Sequence, residues 1–339
     1  MKKYLDNLRW RGFITRQIVV RAVRDFFDSH GLIEAQVPIL ARAPMLEPNI
    51  GVFSTNWQSS QKQLQLFLAT SPEQNFKKLI AQGLGESYAI GHSFRNLEAS
   101  GDQHQPEFLM LEWYRFHQPL DFLMGEAQSL FVFCHNAFST VEKRSPSNEF
   151  TYQNQSFAMD KPWSQILLPD LFTQYCDLDL AEVLDNHELL FQFAEKQQYQ
   201  LDRREFEPVF NQVFLNEIET NLPQEPFFLI DFPAVLSPMA KAQQHKPLFA
   251  QRFELYIAGL EIANGCVEET DEKKLEQVFA EQLTKLQVAG QNINYDTDFL
   301  QAVKLNANNN LAGVGLGIDR LAMILAGEIN VNKVSPKFF

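Results

Sequence analysis

The sequence has little cysteine, no excess of positive charge and no long apolar run, and each shortage removes a class of protein. Three cysteines, Cys134, Cys176 and Cys266, are scattered through 339 residues. They form neither a C-x-x-C pair nor a metal-ligand spacing, so no thiolate metal centre is expected. An odd, scattered set suits free thiols in a reducing compartment. Asp and Glu number 42 against 29 Lys and Arg, for a net charge of −13. That balance speaks against indiscriminate nucleic-acid binding and leaves room for a local basic patch. No apolar run is long enough to cross a bilayer. Lys2 and Lys3 lead into Asp6 rather than an apolar segment, so no secretory signal is read. A soluble, cytoplasmic protein with no membrane partner is the expectation.

What is present is an ordinary globular balance, 45% hydrophobic and 21% charged. The 30 phenylalanines are read mostly as core. Ile14, Ile18, Val19, Ala22, Val23, Phe26 and Phe27 recur at helical spacing and predict a helix over 14–29, stopped by Gly31. An extended segment from Leu32 to Val37 runs into Pro38, and 39–61 reads as loop. Ser71 is a plausible cap, with Pro72 at the first helical position and Glu73 in the first turn. Ser87–Phe94 and Phe108–Arg115 read as a hairpin around the polar loop Leu97–Pro106. Residues 120–143 read as helix, as do 181–200 and 206–221 within a helical insertion spanning about 144–223. Phe227–Phe232 and Phe253–Ile262 are strand-like, 271–289 is an amphipathic helix, and Asn306–Asn310 is a polar turn. The whole of 1–339 reads as one domain carrying that insertion.

Four elements carry polar chemistry. Arg95 ends the first hairpin strand, where its planar fork suits a phosphate or carboxylate. Strand alternation puts Phe108, Met110, Glu112 and Tyr114 on one face, sensible for a pocket that receives an amine. Glu254 and Glu261 are seven apart, which in one straight strand places them on opposite faces. A turn at Gly259 or a bulge is needed to bring them together as oxygen ligands for Mg²⁺. Gly313, Gly315 and Gly317 allow a strand to approach a ligand closely before Arg320 opens a helix. The absence of a G-K-[ST] ending excludes a P-loop. Taken singly, each has an ordinary alternative: a surface ion pair, a half-exposed strand face, a solvated acidic face, a tightly packed glycine strand.

Together these elements resemble the class II aminoacyl-tRNA synthetases, in particular the lysyl branch, over about residues 12–330. His30-Gly31-Leu32-Ile33-Glu34…Pro38 is similar to motif 1, which lies at that family's dimer interface. Phe94-Arg95-Asn96 through Pro106-Glu107-Phe108 is similar to motif 2. Gly315-Leu316-Gly317-Ile318-Asp319-Arg320, with Glu-Ile-Ala-Asn-Gly before it, is similar to motif 3. The resemblance implies an α+β fold with a mostly antiparallel sheet flanked by helices, a homodimer, and use of ATP and Mg²⁺. It implies that Arg95 and Arg320 are catalytic, and that ATP meets Arg95, Asn96, Glu98, His104, Phe108, Glu254 and Arg320. It assigns the amino acid to Ser71, Glu73, Glu112, Tyr114, Asn264, Glu268 and Gly315, and Mg²⁺ to Glu254 and Glu261.

The catalytic pattern starts within the first dozen or so residues, so no anticodon-binding domain is expected. Phe108 to Arg115 and Arg252 to Gly265 resemble the elongation factor P–(R)-β-lysine ligases. These activate β-lysine as an adenylate and transfer it to a lysine of elongation factor P. The implied substrates are therefore β-lysine or lysine, ATP and elongation factor P, with no tRNA charging. Three positions depart from the family pattern. Leu97 stands where F-R-N-E has glutamate, with Glu98 next. Gly101-Asp102-Gln103 stands where an arginine precedes H-x-P-E-F. Gly315 replaces the alanine usual in the ligase branch, and one methyl group there is able to tune the choice between α- and β-lysine. The alternatives are an amino acid–AMP ligase with another amino acid or acceptor, a tRNA-charging enzyme, or a non-catalytic binding module.

Overall fold

The apolar alternation along Ser87–Phe94 and Glu107–Phe116 builds the centre of the molecule. The computed structural model describes residues 2–46, 50–97, 101–145, 147–200, 204–288 and 294–336. In chain order the elements begin α1 (Lys2–Leu5), α2 (Leu8–Ser29), β1 (Ile33–Glu34), β2 (Leu40–Ala41), β3 (Ser54–Gln58), β4 (Gln63–Leu68) and α3 (Glu73–Leu79). The hairpin β5 (Ser87–Phe94) and β6 (Glu107–Phe116) follows, then α4 (Leu120–Glu142). Next come β7 (Glu149–Tyr152), β8 (Gln155–Ala158), β9 (Ser164–Leu167), α5 (Leu168–Cys176), α6 (Leu180–Asp185), α7 (Glu188–Lys196) and α8 (Phe206–Val213). The chain then runs through β10 (Phe227–Ile230), β11 (Arg252–Ile257), β12 (Leu260–Val267), α9 (Glu272–Val288), α10 (Thr297–Asn306), β13 (Leu311–Gly317) and α11 (Ile318–Ala326).

One eight-stranded sheet has the order β1-β5-β6-β13-β12-β11-β10-β9. Only its outermost pairs, β1 with β5 and β9 with β10, are parallel, and all inner pairs are antiparallel. The fold is thus α+β with a mostly antiparallel sheet, as expected. One sheet face is covered by α2, α4 and α11 over a core that includes Leu109, Leu111, Trp113, Val314 and Leu316. Burying five large side chains of that kind stabilises the fold by roughly 1.5–3 kcal/mol each. The opposite face carries Glu112, Tyr114, Asn264 and Glu268 and is open to a cavity. Among the described residues no helix is long and apolar enough to cross a membrane.

Several boundaries differ from the sequence expectation. Helix α2 starts at Leu8, where Asn7 accepts a hydrogen bond from Arg9 N. The segment 32–37 contributes only the two residues of β1, because its pairing with β5 stops at Glu34. Residues 39–61 are not simply loop: β2, β4 and β3 form a separate three-stranded sheet. Pro72 is the residue before α3 rather than its first member. The region 144–223 is not helical throughout. Phe150, Tyr152 and Phe157 point inward from β7 and β8, turning through Gln153 and Asn154 at φ 48° and 63°, and the helices begin only at Leu168. Helix α10 was not foreseen at all.

Candidate active site

The hairpin β11–β12 settles the odd spacing of Glu254 and Glu261. It closes through Ala258 and Gly259 at φ 53° and 72°, the left-handed pair that two-residue hairpins require. The register also shifts between Leu255 and Tyr256, so Glu254 lies opposite Asn264 while Tyr256 lies opposite Glu261. The bulge turns both carboxylates to the cavity face. Turn and bulge are both present.

A cavity of about 600 Å³ lies over the open sheet face. Arg95, His104, Phe108, Glu254, Glu261 and Arg320 line it. Arg95 N donates to Pro106 O (2.9 Å), which closes the hairpin and fixes where the side chain starts. Its guanidinium lies 5.3 Å from the Phe108 ring centroid, and its Nε donates to Thr70 O at 3.4 Å. Arg320 is held by the Glu261 carbonyl (2.7 Å) and His104 Nε2 (2.8 Å), with Glu261 Oε2 at 3.9 Å. A ring nitrogen that accepts from a guanidinium is unprotonated, so His104 carries its proton on Nδ1.

Ser71, Glu73, Glu112, Tyr114, Asn264, Glu268 and Gly315 line the same cavity. Tyr114 donates to Glu112 Oε2 at 3.3 Å. Lys77, behind the cavity wall, bridges Glu73 and Glu268 at 2.6 Å each. Burial and then Glu73 push the Glu112 carboxyl up to about 8, against the opposing charge of Lys77. Burial also raises Glu268, with Lys77 resisting. For Lys77 itself burial works against the charged form, and Glu268 and Glu73 more than reverse it, so the ammonium stays charged. Carboxylates this desolvated have strong reason to take up a cationic ligand.

One predicted residue falls outside this arrangement. Asn96 does not line the cavity: its side chain accepts from Leu97 N and donates to Val52 O, tying the hairpin loop to residues 51–52. Glu98 lies outside the described residues. Asp102 does not line the cavity. Its carboxylate accepts from Asn330 Nδ2 and its carbonyl from Val331 N.

For Mg²⁺ the donors are of the right kind. Glu254 and Glu261 supply hard oxygens, and Mg²⁺ is ordinarily held by one or two carboxylates with the rest from water and phosphate. Consistent with that, no group of three or more His, Cys, Asp or Glu able to cage a metal occurs among the described residues. Glu254 is oriented by Tyr256 Oη at 2.8 Å and by Arg252. Arg252 and Lys77 had no role assigned from sequence. Lys77 four residues after Glu73 reads as an ordinary exposed helix pair, and nothing local announces that it is buried.

A family profile described as tRNA synthetases class II (D, K and N) matches residues 5–337. The chain is 33% identical to the elongation factor P–(R)-β-lysine ligase of Avibacterium paragallinarum, over 95% of this chain and 93% of that protein. It is 30% identical to the lysine–tRNA ligase of Wigglesworthia glossinidia brevipalpis, covering 98% of this chain and 66% of the relative. It is 32% identical to that of Aquifex aeolicus, covering 98% and 55%. The chain therefore spans between about half and two thirds of those two lysine–tRNA ligases.

Proposed function

Because this chain belongs to the class II tRNA synthetases of the D, K and N group, we propose that it is an ATP-dependent ligase. In this reading it activates a lysine-type amino acid, with (R)-β-lysine the leading candidate, and transfers it to a lysine of elongation factor P. The observation that carries the substrate class is the meeting of Glu73, Glu112 and Glu268 in one cavity with Arg95. Buried carboxylates suit ammonium groups, and an arginine fork suits a carboxylate and a phosphate. The relatives named as elongation factor P ligases are matched over 93–94% of their length, which favours that acceptor.

The amino-acid carboxylate attacks the α-phosphorus of ATP. Pyrophosphate leaves and an aminoacyl-adenylate forms. A lysine amine of the acceptor then attacks the adenylate's carbonyl carbon and AMP leaves. Arg95 neutralises charge on the α-phosphate as it develops, Phe108 receives the adenine face, and Arg320 holds the γ-phosphate. Glu73 takes the α- or β-amino group, Asn264 orients the carboxylate, and Glu112, Tyr114 and Glu268 take the side-chain ammonium. Catalysis is positioning and electrostatics, with no covalent enzyme intermediate. Glu254 and Glu261 would hold Mg²⁺, which supplies charge neutralisation to the phosphates. A homodimer through motif 1 accords with the exposed Ile33, Ile39, Leu40 and Trp57; a monomer in sedimentation would remove it.

The test is ATP–pyrophosphate exchange with Mg²⁺ and (R)-β-lysine, α-lysine or neither, followed by mass analysis of elongation factor P. Amino-acid-dependent exchange and a mass gain on the acceptor are expected. Exchange with α-lysine as the better substrate would move the choice to the open space beside Gly315. Exchange with neither would sink the reading.

A further inference from the structure

Behind the carboxylates of the cavity lies a charge that the proposed reaction does not use. Lys77 is 2% exposed and does not line the cavity. Its ammonium is 2.6 Å from Glu73 Oε1 and 2.6 Å from Glu268 Oε2. It also lies 5.7 Å from the Tyr114 ring centroid and 6.0 Å from that of Phe299. Asn306 Nδ2 donates to the Lys77 carbonyl at 3.1 Å and fixes this turn of α3 against α10. The ammonium thus sits at the back of two carboxylates whose front faces the cavity.

We propose that Lys77 is an internal counter-ion that sets how many ammonium groups the pocket accepts and positions Glu73 and Glu268 to receive them. This rests on the lysine-type substrate proposed above and adds what selects a diamine. With the substrate bound, Glu112 gives up the proton that burial holds on it up to about 8, and three carboxylates with one internal ammonium leave two negative charges. A lysine-type substrate brings two ammonium groups to meet them, while its carboxylate goes to Arg95. A monoamine such as norleucine leaves one carboxylate desolvated and uncompensated, which is costly. Without Lys77 the three carboxyls lose their internal counter-charge, and Glu112, already held protonated up to about 8, keeps its proton more strongly. A protonated carboxyl has less capacity to accept from an ammonium.

The ionisable groups facing Lys77 are Glu73 on its own helix, Glu112 and Tyr114 on β6, and Cys266 and Glu268 on or just after β12. From α10 it meets the Phe299 ring and the Asn306 amide, neither of which titrates. Lys77 lowers the Glu112 and Glu268 carboxyls. Its removal therefore raises them, and the acid limb of the amino-acid kcat/KM moves to higher pH.

The test uses full-length Lys77→Met in pyrophosphate exchange. Expected are a roughly tenfold or greater rise in KM for the lysine-type amino acid and an upward shift of the acid limb by about one pH unit. Its preference over norleucine should shrink, with KM for ATP little changed. Glu268→Gln added to Lys77→Met removes one carboxylate together with the ammonium, leaves Glu73 and Glu112, and so keeps the net count at two negative charges. The pH dependence of its melting temperature, which needs no turnover, should return to that of the unaltered protein. This double variant also carries the test if Lys77→Met fails to fold. An unmoved acid limb with ATP and amino-acid KM changed alike, or a double variant whose melting profile stays displaced, would overturn the proposal and leave Lys77 an ordinary structural ion pair. Absence of exchange by the unaltered protein with any diamine would fault the substrate reading instead.

Discussion

At Gly313 an added methyl would lie 2.3 Å from Tyr114 Cε1, whereas at Gly315 it would find nothing nearer than 3.9 Å. The two glycines are two residues apart on one strand and do different work. Gly313 makes room for a protein side chain, the Tyr114 ring, which is the tightly packed strand that the sequence offered as the alternative to close approach of a ligand. Gly315 leaves open volume beside Glu112 and Met110. Gly313→Ala is expected to lose about 1–3 kcal/mol of stability in chemical denaturation, through overpacking, and to raise KM for the amino acid. Gly315→Ala should stay within about 0.5 kcal/mol and change only the ratio of α- to β-lysine in exchange. A destabilised Gly315→Ala would mean that the space is already filled. From sequence both were simply glycines in a strand, because what stands opposite them depends on the pairing of β13 with β6. Arg95 and Arg320 were legible because they stand in the runs similar to motifs 2 and 3, and Glu112 because strand alternation puts it on the face of Phe108 and Tyr114; all three line the cavity. Lys77 was not, because its burial is decided by α10 and β12, far away in the chain.

The loop between β5 and β6 is fastened to the turn after α11. Asp102 meets Asn330 and Val331, and Gln105 Nε2 donates to Asn332 Oδ1 at 2.9 Å and to Ser335 O. His104, which braces Arg320, lies between these two fastenings. Asp102→Ala should therefore raise KM for ATP about fivefold, the worth of roughly one hydrogen bond, while KM for the amino acid holds. Equal changes in both would point to general loosening instead. The sequence showed Gly101-Asp102-Gln103 where the resembled family has an arginine. The partner that explains it is some 230 residues downstream, so no local pattern could disclose it. The β5–β6 hairpin, by contrast, was legible from its alternation. The β7–β8 hairpin follows the same rule, with Phe150, Tyr152 and Phe157 inward, and went unread inside a region taken as helical.

For the whole molecule, the buried carboxyl groups lining the pocket cost the fold stability as they ionise. Glu112 is pushed from 4.5 up to about 8, first by burial and then by Glu73. A group held more protonated in the fold than in the unfolded chain contributes stability that is fully present below 4.5 and is lost as pH rises through about 8. The melting temperature of the ligand-free protein should fall across that window. Glu112→Gln should flatten the fall, and saturating lysine-type amino acid should reduce it, because the ammonium pairs with the ionised carboxylate. An identical slope in Glu112→Gln would show that other groups set it. The sequence by itself determined the α+β class, the helix and strand periodicities around the three motifs, and the residue types of the site. It could do so because helix and strand repeats are local and the motif residues stand in short runs. Tertiary structure alone decided that Glu254 and Glu261 share a face, that Asp102 meets Asn330 and Val331, and that Lys77 is buried between two carboxylates. Each depends on a register, a bulge or a packed neighbour distant in sequence, and burial, unlike periodicity, is a property of what the rest of the chain brings alongside.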